Sequence, residues 1–319
     1  MTPQEKIKEL KDIIYKTLTP LIEDDFYLLE VPYYNNIGDT LIWQGERDFL
    51  KKLDYKFKGE YSGDTFRFPR ISNHNILLLQ GGGNFGDLYP FNHNFKMEVI
   101  KRYPKNRIII FPQTIWFQKE SNLIECATFL STHKNVIICA RDNISYKIFQ
   151  QYFKNKILLL PDMAFCIDIK AWDIHDMGGK HLLLKRDDKE LKTNKKLIGL
   201  ETDTNVDVTD WPTMLQEIDI QTRYLNHFKS LRYKFPNRLS FALCDIYAQQ
   251  IYRKHLIRSG IKTIRSHDHI FTTRLHTAIL SVLLKKDYIG FFDNSYGKNK
   301  NFYDTWLADC DNITLIDND

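Results

Sequence analysis

The sequence predicts an α/β protein of two open-sheet domains facing each other across a cleft. Two observations predict it. Short runs rich in Leu and β-branched residues, "FYLLEVP", "NILLLQ", "RIIIFP", "NVIICA" and "KILLLP", recur with helix-length segments between them. Continuous apolar strands alternating with helices denote a parallel sheet covered on both faces. The series then restarts after a polar passage, "DIKAWDIHDMGGK". The expected domains are residues 1–172 and 173–319, which suits a chain of 319 residues.

Each element follows from its local pattern. "MTPQEKIKELKDIIYKTL" interleaves charges with Ile7, Leu10, Ile14 and Leu18, an amphipathic helix rather than a signal peptide. Helices are expected from Asp39 to Leu53 and from Ser121 to His133, and the first strand series ends near Asp168. The second series begins with "HLLLKR" and "KLIGLET". Helical stretches follow at Met214–Phe235 and Cys244–Ser259. Then come "IKTIRS", "HIFTTR", a helix "LHTAILSVLLKK" and the strand "DYIGFF". The charged run "KRDDKELKTNKK" reads as a solvated loop.

Composition narrows the function. The chain is 43% hydrophobic and 27% charged, the profile of a soluble globular protein. A net charge of +5 fits an anionic small molecule or an acidic membrane face, and no dense Lys/Arg block calls for nucleic acid. Five scattered cysteines without a CxxC pair read as reduced packing residues of a cytoplasmic protein. No apolar run approaches membrane-spanning length. Work on membrane-bound material is therefore expected from the cytoplasmic side. The oligomeric state has no signature in the sequence.

In open parallel sheets, ligands sit beyond the carboxyl ends of strands. After "FYLLEVP" come Asn36, Gly38 and Asp39, where Asp39 or Thr40 can cap the next helix; the stretch reads as a plain cap or as a contact surface. After "NILLLQ" come Gly81, Gly82, Gly83 and Asn84. Consecutive glycines admit positive φ and a close approach to main-chain N–H groups, but the pattern is neither GxGxxG nor a Walker loop. Asp87 is placed to act as a base toward a sugar hydroxyl or as a helix cap. Arg141 follows "NVIICA" and either faces an anion or pairs with a neighbouring Asp. Asp162, after "KILLLP", is a ligand contact or a cap.

The sharpest stretch is "IFTTRLHTAILSVLL". Arg274 and His276 bracket a helix N-terminus, which attracts anions. A guanidinium forks onto phosphate or carboxylate, and an imidazole exchanges protons near neutrality. Such a pairing makes a reaction centre; the plain alternative is a salt-bridged Arg and a capping His. His267 and His269 form HxH without a third ligand, so no metal and no cofactor are expected.

Taken together, "NIGD", "LLLQGGGNFGD", "PQT", "ARD..S", "PDMAF" and "TRLHTAI" occur in the order seen in the polysaccharide pyruvyl transferase family, which the chain resembles from about Asn35 to Leu284. The resemblance implies two Rossmann-like halves, similar to the GT-B glycosyltransferase architecture. It implies transfer of the pyruvyl group of phosphoenolpyruvate onto a sugar of a cell-surface polysaccharide or its precursor, as a ketal, with release of phosphate; a lipid-linked oligosaccharide, a nucleotide-linked sugar and a finished chain all stay open as acceptor. It carries the donor site to Arg274, Leu275 and His276 on the C-terminal domain. Arg141 and Lys298 are added as donor contacts, with Arg186, Asp187, Glu190 and Tyr296 as further anion or sugar contacts or solvated loop. The acceptor is expected at the N-terminal domain, on Asn36, Gly38, Asp39, Gly82, Gly83, Asn84 and Asp87. His276 is the expected acid, and Asp87 or Asp39 the carboxylate that helps the attacking hydroxyl. Two other readings share the fold: a nucleotide-sugar glycosyltransferase and a non-catalytic glycan-binding protein.

Overall fold

The structure, a computed structural model, describes residues 1–172, 178–188, 190–215 and 218–316. The chain divides into two compact units. One holds Lys11–Tyr33 and Gly45–Ile167; the other holds Met1–Leu10, Tyr34–Gln44 and Asp168–Asp319. The expected boundary at 172/173 abuts residues 173–177, which lie outside the described residues. The larger difference is that residues 1–10 and 34–44 group with the C-terminal unit.

The elements up to Ile167 are α1 (Pro3–Leu18), β1 (Phe26–Leu29), α2 (Ile37–Leu50), β2 (Phe57–Tyr61), β3 (Ile76–Leu79), β4 (Gly82–Phe85), α3 (Pro90–Arg102), β5 (Ile108–Ile115), α4 (Glu120–Ser131), β6 (Val136–Ala140), α5 (Asn143–Tyr152) and β7 (Lys156–Leu159). The strands pair in the order β2-β1-β3-β5-β6-β7, and every pairing is parallel. β5 is long enough to pair with β3 along its first half and with β4 along its second, so the glycine run continues the line of β3. Leu77, Leu79, Ile108, Ile110 and Ile138 are buried in one apolar cluster. Each such side chain contributes about 1.5–3 kcal/mol.

Gly81 and the nearby Gly86 have packing reasons: a Cβ on Gly81 would stand 2.9 Å from the Pro112 carbonyl oxygen. A Cβ on Gly86 would stand 1.7 Å from the Trp116 carbonyl oxygen, and its φ of +134° suits glycine alone. Two ion pairs are buried in the same unit, Lys96–Glu30 and Arg141–Asp162. Removing one partner of such a pair costs about 3–5 kcal/mol.

The second series comprises β8 (His181–Leu184), α6 (Lys195–Glu201), β9 (Val206–Thr209), α7 (Ile220–Lys234), α8 (Arg238–Tyr247), α9 (Arg253–Arg265), β10 (Ile270–Thr272), α10 (Leu275–Leu283), β11 (Ile289–Phe292), α11 (Lys298–Trp306) and β12 (Ile313–Ile316). These strands form a second sheet, β12-β11-β10-β8-β9, again parallel throughout. The α/β class with parallel sheets therefore holds in both units.

Two segments depart from expectation. "KLIGLET" is helical, because Asn194 caps it by accepting from the Leu197 N–H. "IKTIRS" is the end of α9, where Ile257, Ile261 and Ile264 recur at helical spacing on a buried face. A π turn, Ala248–Tyr252, joins α8 to α9. All five cysteines are free and buried. Among the described residues, no helix is long and apolar enough to cross a membrane.

Candidate active site

The carboxyl ends of β9, β8, β10 and β11 lie side by side in the second sheet, and polar residues follow each of them. Asp210 follows β9. Arg186, Asp188 and Glu190 follow β8. Thr273 and Arg274 follow β10, and Asn294 follows β11. Parallel pairing brings these four loops to one edge of the sheet, where ligands of open α/β sheets bind.

Arg274 is the N-cap residue of α10, with extended backbone and no side-chain cap on the helix. Its Nε and Nη2 both donate to the carboxylate of Asp210. This two-pronged grip holds the guanidinium plane in place. The neighbouring Arg186 donates from Nε to Asp188 at 2.8 Å and from Nη1 to Glu190 at 2.6 Å. Its backbone N–H donates to the Thr273 hydroxyl at 2.9 Å, tying the β8 loop to the β10 loop. Asn294 donates to Glu190 at 3.1 Å and accepts from the Lys298 N–H at 2.8 Å. Asn299 donates to the carbonyls of Thr273 and Phe292, each at 2.8 Å.

The charges hold one another in their ionised forms. Burial pushes the carboxyls of Asp188 and Glu190 up, but neighbouring cations and an N–H donor outweigh it. For Asp188 the hydrogen bonds from Arg186 and the Glu190 N–H bring it below its ordinary value. For Glu190 the charges of Lys298 and Arg186 do the same. Burial lowers Arg186, and Asp188 and Glu190 more than restore it. The result is a network of alternating charge at the ends of β8, β9 and β10.

The turn "NIGD" belongs to this same unit. Asn36, not Asp39 or Thr40, stands just ahead of α2 and accepts from the Asp39 N–H at 3.3 Å. Asn35 anchors the turn, donating to the Thr213 carbonyl at 2.9 Å and accepting from the Tyr252 hydroxyl at 3.0 Å. The Asp39 carboxylate, half-buried, accepts from the Tyr34 hydroxyl at 2.8 Å and from Asn36 at 2.9 Å. Gly38 lies against the imidazole of His276: a Cβ there would stand 2.7 Å from Nδ1. Thus Asn36, Gly38, Asp39, Arg274 and His276 occupy one unit, although Asn36, Gly38 and Asp39 were expected on the N-terminal side with the acceptor.

Other expected site residues have different surroundings. Leu275 is buried in the core. The guanidinium of Arg141 is fully buried, donating to Asp162 at 2.8 Å and to the Thr114 hydroxyl, so it is a structural ion pair rather than a donor contact. Asp162 also caps the next turn, accepting from the Ala164 N–H. Gly82, Gly83 and Asn84 form β4 in the other unit, where the Asn84 oxygen accepts from Lys96. The carboxylate of Asp87 takes N–H bonds from Gln118, Lys119 and the Asn122 side chain. Burial raises it, and these donors together more than offset that, holding it below the ordinary carboxylate value. That is the chemistry of a brace, and a depressed carboxyl is a weak base. His267 faces Asp207 at 3.4 Å, while His269 stacks on His181. Among the described residues no group of three His, Cys, Asp or Glu is arranged to hold a metal.

Sequence reading missed Asp188, Asp210, Asn294 and Asn299. Asp210 had a usable signal: it stands directly after "VDVT", a four-residue strand hidden by two exposed polar and apolar positions.

Residues 36–296 match the family model described as "Polysaccharide pyruvyl transferase". The chain belongs to the polysaccharide pyruvyl transferase family. The matched region opens at Asn36 and closes at Tyr296, so the family's common segment spans the residues from the "NIGD" turn to the loop after β11. A Bacillus subtilis protein named "Putative pyruvyl transferase EpsO" is 32% identical over 98% of this chain and 93% of its own length. "Pyruvyl transferase 1" of Schizosaccharomyces pombe is 27% identical over 91% of this chain and 72% of its own. A functionally uncharacterized Klebsiella pneumoniae protein of known crystal structure has the same fold. It gives a TM-score of 0.65 at 20% identity and covers 97% of this chain and 98% of its own.

Proposed function

We propose that this pyruvyl transferase family member moves the pyruvyl group of phosphoenolpyruvate onto a sugar of a cell-surface polysaccharide or its lipid-linked precursor. The observation that carries the reading is the packing of Gly38 on His276. It brings a carboxylate, Asp39, and a proton-exchanging imidazole onto the unit that holds Arg274 and the uncapped start of α10. An anion site, an acid and a base on one unit are the parts this reaction needs.

The phosphate and carboxylate of phosphoenolpyruvate bind Arg274 and the N-terminus of α10, with Lys298 adding charge. His276 gives its proton to the methylene carbon, which becomes a methyl group. The adjacent carbon turns electrophilic and a sugar hydroxyl attacks it, losing its proton to Asp39. The carbon–oxygen bond to phosphate then breaks, and inorganic phosphate leaves with the proton that Asp39 took, which restores the carboxylate. A second hydroxyl of the same sugar closes the ketal, and its proton restores His276. The substrate's own carboxylate offsets the developing positive charge. Asn36 and Tyr34, which hold Asp39, keep the base aimed. Asp87 and Arg141 have no part in these steps.

Phosphorus NMR on the purified protein, with phosphoenolpyruvate and a panel of lipid-linked and nucleotide-linked sugars, tests the proposal. Inorganic phosphate should appear, and proton NMR of the same samples should show a new ketal methyl signal in the acceptor. Turnover of a sugar nucleotide to nucleoside diphosphate, with phosphoenolpyruvate untouched, would replace it with the glycosyltransferase reading.

A further inference from the structure

α7 and α8 pack on each other as a hairpin, joined at Phe235, Pro236 and Asn237. A helix in a soluble protein normally buries an apolar stripe. Here Thr222 and Leu225 are the only buried residues of α7, and Ser240, Cys244 and Tyr247 the only ones of α8. The apolar residues at the tip face outward instead. Tyr233 is 85% exposed, Phe235 59% and Leu239 68%. All seven residues from Tyr233 to Leu239 are exposed. From Leu239 the exposed stripe runs on through Leu243 and Ile246, at the spacing of one helix face.

Charge says what meets this surface. Between Ile220 and Tyr247 stand five cations, Arg223, Lys229, Arg232, Lys234 and Arg238, against one carboxylate, Asp245. The hairpin therefore carries a net charge of +4, five cations less one carboxylate. Two of the cations, Lys234 and Arg238, alternate with the exposed tip residues. Exposed aromatic and aliphatic side chains among Lys and Arg are the composition that lies in a bilayer interface. Rings and aliphatic groups enter the acyl boundary there, while long basic side chains reach the headgroups. A second copy of the chain would bring the same five cations face to face, and like charges across an interface oppose it. An anionic surface meets no such cost.

We propose that the α7–α8 hairpin docks the protein on an anionic lipid bilayer, with Tyr233, Phe235 and Leu239 entering the interface and Lys234 and Arg238 pairing with lipid phosphates. The function proposed for the sheet edge does not enter this inference.

Vesicle flotation with the full chain tests it. Vesicles of phosphatidylcholine with phosphatidylglycerol should carry the protein up the gradient, and vesicles of phosphatidylcholine alone should carry far less. The triple variant Tyr233→Ser, Phe235→Ser, Leu239→Ser should lose flotation. The pair Lys234→Gln, Arg238→Gln should weaken it by about fivefold for each charge removed. These side chains are exposed, so circular dichroism and Tm should match those of the parent. Equal flotation on both vesicle types, or none on either, overturns the proposal. So does light scattering that shows a dimer of the parent and a monomer of the triple variant, because the surface would then be covered by a second copy.

Discussion

The imidazole of His276 rests on Gly38, with no room for a methyl group between them. A helix N-terminus from β10 and a turn from early in the chain are thereby locked together. Gly38 lies in α2 with ordinary helical backbone, so alanine suits its conformation; its methyl group would meet the ring at 2.7 Å and, less closely, the Asn36 side-chain oxygen at 3.2 Å. Gly38→Ala should displace His276 and reduce kcat by about 100-fold, with little change in Tm. His276→Gln should cost about 100- to 10,000-fold. Phosphate release from phosphoenolpyruvate measures both. A Gly38→Ala protein of full activity would remove the acid from the place given to it.

Asp39 and Asp87 should separate cleanly. Asp39→Asn should abolish most phosphate release while Tm stays near that of the parent. Asp87→Asn should do the reverse: it breaks the brace ahead of α4, lowering stability by about 1 kcal/mol, and leaves kcat at saturating substrate nearly intact. Because the Asp87 carboxyl is depressed, its stabilising effect is present above its unfolded value and is lost as pH falls through the folded one. The Asp87→Asn variant should therefore show a weaker loss of Tm on acidification.

Asp210 aims Arg274. Asp210→Asn leaves the shape and weakens the grip on the guanidinium. The expected result is a KM for phosphoenolpyruvate raised by about tenfold with a smaller change in kcat, since a charge-assisted pair is worth about 1.5–3 kcal/mol. Arg274→Lys should be worse, because an ammonium cannot serve both oxygens of Asp210 and an anion. Steady-state kinetics over a range of phosphoenolpyruvate concentrations distinguishes the two.

Glu46 provides a stability test in the other unit. It is fully buried, and burial pushes its carboxyl well above the ordinary value despite the Gly81 N–H it accepts at 2.8 Å. Its second oxygen has no partner among the described residues. The folded protein keeps this proton after the unfolded chain has released it. Stability from this group is thus full below the unfolded pKa and declines as pH rises through the folded one. Glu46→Gln should flatten that decline and raise Tm at neutral pH, as read by thermal melts across the pH range. A Tm difference independent of pH would show that the carboxyl is ionised in the folded protein.

The first sheet was legible because its strands are runs such as "ILLL" and "VIICA", buried on both faces. The second was harder. β9 and β12 are short and partly exposed, and "KLIGLET" offers β-branched and Leu residues to either structure until Asn194 caps it as helix. At the site, "TRLH" stood out because Arg and His flank a helix start. Asp210 did not, since its meaning lies in Arg274, 64 residues away in sequence. Arg141 and Arg274 look alike in sequence, each just past an apolar strand. Only burial distinguishes them, and burial of a long cation depends on a distant carboxylate, Asp162 for one and Asp210 for the other.

The division of the chain also sets an order of events at the ribosome. Every residue of the unit holding β1–β7 has been synthesised once Ile167 is made, so that unit can fold while translation continues. Residues 1–10 and 34–44 must wait, because their neighbours, among them Asp309 for Lys6 and Arg253 for Gln44, are made much later. Severing the gene between codons 167 and 168 would therefore strand both early pieces on the wrong polypeptide, and the C-terminal fragment expressed alone would lack the turn on which His276 rests.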